Sequence, residues 1–166
     1  MMIVEQMLNN APKPLLHIAD VSGSALFNAD CMDILPLIPD KSVQLILADL
    51  PYGTTANKWD SVLDLNKLWT EYERIITDNG AIILTATQPF TTQLISSNLK
   101  LFKYEIIWVK SRPNGHLEAK NKPMRKHENI LIFSKGASSN GCKNRITYNP
   151  QGLVKVERYN RNSTDT

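Results

Sequence analysis

The chain has 166 residues, 42% of them hydrophobic and 21% charged, which suits one globular domain with enough apolar material for a real core. No apolar run approaches the roughly 20 residues needed to cross a bilayer, and residues 1–14 lack the basic start and long apolar stretch of a secretion signal. The net charge of +3 is uneven: residues 1–99 carry 5 basic and 11 acidic side chains (−6) and residues 100–166 carry 14 and 5 (+9), so the second half suits either a polyanion partner or a solvated basic surface.

Residues 1–24 contain Pro12, Pro14 and a Ser-Gly-Ser stretch and are expected to form a loosely held arm. Residues 25–30 (ALFNAD) predict a brief strand, and CMDILPLIPD a short helix stopped by Pro36 and Pro39. Residues 42–49 (SVQLILAD) are nearly continuous in apolar residues, as befits a strand buried on both faces. From Leu63 to Ile76, Leu65, Leu68, Trp69, Tyr72, Ile75 and Ile76 fall at helical spacing, and Asp78-Asn79-Gly80 is expected to end that helix. A second buried strand is predicted over 80–87, a helix over 88–99 with Pro89 in its first turn, and two further strands over 104–110 and 128–135. Between these last strands, residues 111–127 are polar, basic and rich in turn residues. Residues 136–166 show little apolar periodicity and are expected to be a flexible tail.

Strand, helix, strand, helix and a final strand pair is an α/β pattern with a parallel sheet. Ligands of such sheets sit beyond the carboxyl ends of the strands, and Asp49 closes the most hydrophobic strand. The turn Asp49-Leu50-Pro51-Tyr52 that follows combines an acceptor-only carboxylate, a residue confined to extended geometry before proline, and a flat aromatic face. Gly53 then permits a tight bend. Two acceptors beside a ring would receive a planar aromatic amine; the same residues would also make an Asp-capped turn with a packing tyrosine.

The stretch ILADLPYGTTANKWD resembles the catalytic loop of S-adenosylmethionine-dependent DNA amino methyltransferases, in particular the adenine-specific enzymes with Asp-Pro-Pro-Tyr. Similarity to that family, closest to phage and restriction-modification versions, runs from about Ala25 to Lys135. It takes in FNADCMDILPLIPDKSVQLILAD, LWTEYERIITDNGAIILTATQPF and YEIIWVKSRPNGHLEAKNKPMRKHENILIFSK. Leu50 stands where the family has its first proline, but the atom used there is a backbone carbonyl, which leucine also supplies. The resemblance implies a Rossmann-like sheet, mostly parallel with an antiparallel terminal strand pair, and a catalytic part spanning 25–135. It implies transfer of methyl from S-adenosylmethionine to the 6-amino group of a flipped adenine in double-stranded DNA. Asp49 and the Leu50 carbonyl would accept from the amine, held by Pro51, with Tyr52 stacking on the base. Asp30 and Cys31 would lie against the cofactor's adenine, a role compatible with helix N-capping by Asp30.

Lys110, Arg112, Lys120, Lys122, Arg125 and Lys126 face Glu118 alone within 110–126, a composition suited to phosphates; Asn114, His116 and Asn121 offer groups for base edges. His116 and His127 lack the companions of a metal site, and Cys31 and Cys142 are too few for a disulfide framework, so a reducing, cytoplasmic setting without metal is expected. The family's glycine-rich loop for the cofactor has no match in KGASSNGC or NPQGLVK. The fold is therefore expected to lack its cofactor-binding half, to expose an apolar strand edge, and to show weak or absent activity alone. A second chain or homodimer partner would complete it, unless its strands close up or the product is truncated. The competing expectation is a catalytically dead nucleic-acid-binding remnant or a subunit of a split methyltransferase; methylation of RNA or of a protein glutamine is a third.

Overall fold

The computed structural model describes residues 16–21, 24–53, 57 and 60–156. Two strands, β1 (Leu16–Val21) and β2 (Ser24–Asn28), form an antiparallel hairpin in register from Leu16 opposite Asn28 to Val21 opposite Ser24. The expected N-terminal arm therefore has a strand at its end, while residues 1–15 lie outside the described residues. The strand predicted near 25–28 pairs with β1 and stays out of the main sheet.

The one-turn helix α1 (Cys31–Ile34) starts at Asp30, whose side chain accepts from the Met32 backbone N–H at 2.8 Å. A 3₁₀ turn (Leu35–Leu37) follows, where Pro36 ends the α-helical hydrogen bonding. Strand β3 (Val43–Asp49) leads to the acidic turn, and α2 (Leu65–Ile75) begins at Asp64, which accepts from the N–H groups of Asn66 and Lys67. The remaining elements are β4 (Ile76–Ala86), α3 (Phe90–Ser97), β5 (Phe102–Asn114) and β6 (Arg125–Phe133).

The main sheet has the order β3-β4-β6-β5. The β3–β4 pair is parallel, and β6 runs antiparallel to both β4 and β5. The architecture is α/β, with an antiparallel pair ending the sheet as expected; β6, not β5, is the strand that joins it to β4. Helices α2 and α3 bury Leu68, Trp69, Tyr72, Phe90 and Leu94 in one cluster with Ile82 and Leu84 of β4 and Leu131 and Phe133 of β6. Phe133 lies at the centre, its ring 4.8 Å from Trp69 and 5.6 Å from Phe102 between centroids. Arg74 ties α2 to the preceding connection by donating to the carbonyls of Leu35 and Ile38, while pairing with Asp40 and Glu71. The opposite face is open at the β3 edge, where Leu45 and Leu47 are 53% and 69% exposed.

Three predicted boundaries move. Asp78-Asn79-Gly80 does not stop α2 but sits inside β4, which starts at Ile76, a fully buried residue paired with Val43. The register shifts there, and Gly80 approaches its neighbours so closely that a Cβ would lie 2.9 Å from the Gln44 carbonyl oxygen. The polar segment 111–127 is strand at both ends: β5 and β6 run into it until Asn114 opposes Arg125, leaving a connection over 115–124 with a 3₁₀ turn at His116–Glu118. Residues 136–148 are not free. Ile146 donates to Ala137 O at 3.0 Å and Thr147 to Asn79 O at 2.9 Å, so the segment returns onto the start of β4 through backbone bonds that leave no apolar periodicity. Among the described residues no helix is long and apolar enough to cross a membrane.

Truncating Phe133, fully buried between two aromatic rings, removes both contacts at once. Phe133→Ala is expected to lower unfolding stability by about 3–5 kcal/mol, read from denaturant midpoints at constant slope.

Candidate active site

Asp49 is the last residue of β3, and the parallel register sets it directly opposite Thr85 of β4. Its side chain is exposed. Thr85 Oγ1 donates to Asp49 Oδ1 at 2.5 Å, and the Tyr52 hydroxyl lies 2.8 Å from the same Oδ1 and 3.0 Å from Thr85 Oγ1. Asp49 Oδ2 has no partner among the described residues, so one carboxylate oxygen is tied and the other is free.

The next three residues are held in different ways. The Leu50 side chain is buried in the core cluster, which fixes the backbone that carries its carbonyl. Pro51 restricts Leu50 to extended geometry. The Tyr52 ring stacks on Phe90, with centroids 5.4 Å apart and planes at 24°, so one of its faces is covered from within the fold. Gly53 has φ +66°, and a Cβ there would come within 2.7 Å of Val62 Cγ2. Its N–H donates to Asp60 Oδ1 at 2.8 Å, so a buried carboxylate pins the far side of the turn.

Asp30 caps α1 through Oδ1, and both Asp30 and Cys31 are exposed. Loss of hydration, and then the charge of Asp30, raise the Cys31 thiol above its ordinary value.

The basic residues lie on the β5–β6 arm. Lys110, Asn114, Lys122 and Arg125 line a cleft of about 410 Å³ together with Thr87 and Gln88, which begins two residues beyond Thr85. Arg112, His116, Lys120 and Lys126 are exposed outside that lining. Several cations already have protein partners: Lys110 pairs with Glu128, Lys122 with Glu118, and Arg125 donates to Thr87 Oγ1. The Lys122 ammonium holds the Glu118 carboxyl below its usual range. Among the described residues Arg112, Lys120 and Lys126 carry no ion pair. Lys110 also lies 5.8 Å from the ring centre of Trp108, which is 48% exposed. No group of His, Cys, Asp or Glu among the described residues is arranged to hold a metal.

Sequence reasoning singled out Asp49, Leu50, Pro51 and Tyr52, and the fold sets around them three residues it did not. Thr85, Phe90 and Asp60 come from other elements or from beyond the turn. The available signal was the pairing of two buried strands, which would have placed a residue near 85 beside Asp49; the register itself is not written in either strand.

The α/β sheet, with an acidic turn at a strand's carboxyl end and a basic cleft beside it, has a fold shared with solved structures that include a DNA methyltransferase. The M1.HpyAVI–SAM complex matches at TM-score 0.53 and 18% identity over 79% of this chain and 61% of that one. The cytosine-N4-specific PvuII DNA methyltransferase matches at TM-score 0.51 and 10% identity over 67% and 49%. TTHA0409 from Thermus thermophilus matches at TM-score 0.50 and 20% identity over 69% and 56%. The chain thus spans about half to three fifths of the length of these structures. It belongs to the N6/N4 DNA methylase family, whose profile matches residues 43–165.

Two tyrosines of this region are shifted by their surroundings. Burial pushes the Tyr72 phenol up to about 12 from an ordinary 10.0. It also raises Tyr52, aided by the hydrogen bond and charge of Asp49 and opposed by the hydrogen bond to Thr85. The folded chain keeps these phenol protons where the unfolded chain loses them, so stability falls as pH rises from about 10. The melting temperature is expected to decline between about pH 10 and 12, and Tyr72→Phe to flatten that decline.

Proposed function

We propose that this chain is the catalytic and DNA-facing part of a DNA methyltransferase that modifies the 6-amino group of adenine with S-adenosylmethionine as donor. The observation that carries the reading is Asp49: an exposed carboxylate at a strand's carboxyl end with one oxygen tied and the other without a partner among the described residues. A free carboxylate oxygen accepts and cannot donate, which matches an exocyclic amine and rejects a carbonyl. The Leu50 carbonyl is the second acceptor, on a backbone fixed by the buried leucine side chain. The family covers N6 and N4 amines, both exocyclic –NH2 groups; the Asp-type turn favours adenine by its resemblance to the adenine-specific enzymes.

The target amine is base-paired in duplex DNA, so the base leaves the stack before it meets Asp49. The Tyr52 ring has one face on Phe90 and offers the other to the base, an interaction of about 1–3 kcal/mol for aromatic stacking platforms. Lys110, Arg112, Lys120, Lys122, Arg125 and Lys126 face the phosphates of double-stranded DNA, which set position without choosing sequence. Asn114 and His116 offer base-edge contacts.

Asp30 and Cys31 would hold the adenine of the donor. Both are exposed, and Asp30 Oδ1 is occupied by the cap. When bound, S-adenosylmethionine supplies an electrophilic methyl group whose bonding pair stays with sulfur. Asp49 Oδ2 and the Leu50 carbonyl orient the two N–H bonds and thereby the nitrogen lone pair, a matter of alignment more than of basicity. The surplus proton on the methylated nitrogen lies against Asp49, which is open to solvent and passes it to water.

The test is incubation of the protein with labelled S-adenosylmethionine and an adenine-rich duplex, followed by nucleoside mass spectrometry. N6-methyldeoxyadenosine is expected, and Asp49→Ala is expected to reduce it by at least about 100-fold. N4-methyldeoxycytidine as the product would overturn the adenine assignment. Unchanged methylation by Asp49→Ala would remove Asp49 from the reaction, and no methylated base at all with the intact protein would end the reading of this chain as active by itself.

A further inference from the structure

We propose that Thr85 is a positioning residue for methyl transfer: its hydroxyl sets the orientation of the Asp49 carboxylate, turning Oδ2 toward the amine. The proposal rests on the reading of Asp49 as the amine's acceptor.

Three oxygens form a closed triangle here, with edges of 2.5, 2.8 and 3.0 Å. Asp49, when ionised, brings no proton; Thr85 and Tyr52 bring one each. The shortest edge assigns the Thr85 proton to Asp49 Oδ1. The Tyr52 proton then goes to the same Oδ1, as a second tether, or to the lone pairs left on Thr85 Oγ1, in which case Asp49 is held through Thr85 alone. An exposed carboxylate at a strand end would otherwise rotate about its last bond and exchange its two oxygens between cleft and fold. Charge-assisted bonds of this kind are short and about twice as strong as neutral ones, enough to select one rotamer in water.

The location of Thr85 makes it the better anchor of the two donors. It lies on β4, bonded on both sides by β3 and β6, and its neighbours Leu84 and Ala86 are fully buried. Threonine is also stiff at its first side-chain torsion, so the hydroxyl is aimed before any substrate arrives. Tyr52 sits on the turn itself and not on the sheet. Thr85 is thus the point at which the rigid sheet transmits its geometry to the turn. Leu50 and Asp60 hold that turn's backbone, and neither bonds the Asp49 carboxylate.

The experiment compares Thr85→Val, which keeps the shape and removes the hydroxyl, with Thr85→Ser, which returns the hydroxyl. Crystal structures of both report the Asp49 rotamer, and duplex methylation at saturating and limiting DNA separates kcat from KM. In Thr85→Val the Asp49 carboxylate is expected to turn or to occupy several rotamers, and kcat to fall by about 10- to 100-fold with KM for DNA unchanged. Thr85→Ser is expected to recover the rotamer and most of the rate. Should Thr85→Val not fold, Thr85→Ala carries the same comparison. An unmoved Asp49 in the hydroxyl-free variant overturns the proposal whatever the rate does, and so does a displaced Asp49 with undiminished kcat. If neither the parent nor any variant transfers methyl, the reading of Asp49 as the amine's acceptor fails, while the rotamer comparison still decides whether Thr85 sets its orientation.

Discussion

The parallel pairing of β3 with β4 is the constraint from which the candidate site follows. It ends both strands at the same edge and places Asp49 opposite Thr85 on one face. That face bears the acid, while the other bears Ile82 and Leu84 against α2 and α3. Because successive side chains alternate, the burial that drives the strands together also decides that Asp49 emerges on the uncovered side. A slip of one residue would bury the carboxylate and expose the core. The apolar face therefore enforces the position of the polar group.

Around that anchor the turn is restrained at separate points. Leu50 enters the core, Phe90 supports the Tyr52 ring, and Asp60 accepts the Gly53 N–H. Each restraint acts on a different atom of the turn, and none of them uses Asp49 Oδ2. A turn so held gives up little mobility when a ligand arrives, which is what an alignment mechanism requires. The basic arm is arranged differently. Its charge is partly answered by Glu118 and Glu128. These pairs order long side chains at a cleft while lowering its net field.

The departures from sequence expectation share one cause. Asp78-Asn79-Gly80 has the composition of a helix stop, yet pairing with β3 and the approach of the Gln44 carbonyl recruit it into β4 as an irregular strand. Residues 111–114 and 125–127 look like loop because one side of an arm that stands in solvent needs no apolar residues. Residues 136–148 are joined to β4 by backbone groups, which leave no trace in side-chain pattern. In all three, hydrogen bonding between distant segments overrides local composition.

The sequence by itself determined the α/β class, two core strands read at 42–49 and 80–87, a helix read at 63–76 and the acidic turn. These depend on local periodicity and on residue chemistry: a buried strand must be apolar, and Asp-Leu-Pro-Tyr brings its acceptor and ring within four positions. Only the tertiary structure decided that 24–28 pairs with 16–21 and not with the main sheet, and that β6 lies between β4 and β5. It alone brought Thr85, Phe90 and Asp60 to the turn. Register between strands is set by the packing of whole faces, a property of the assembled core that no single segment contains.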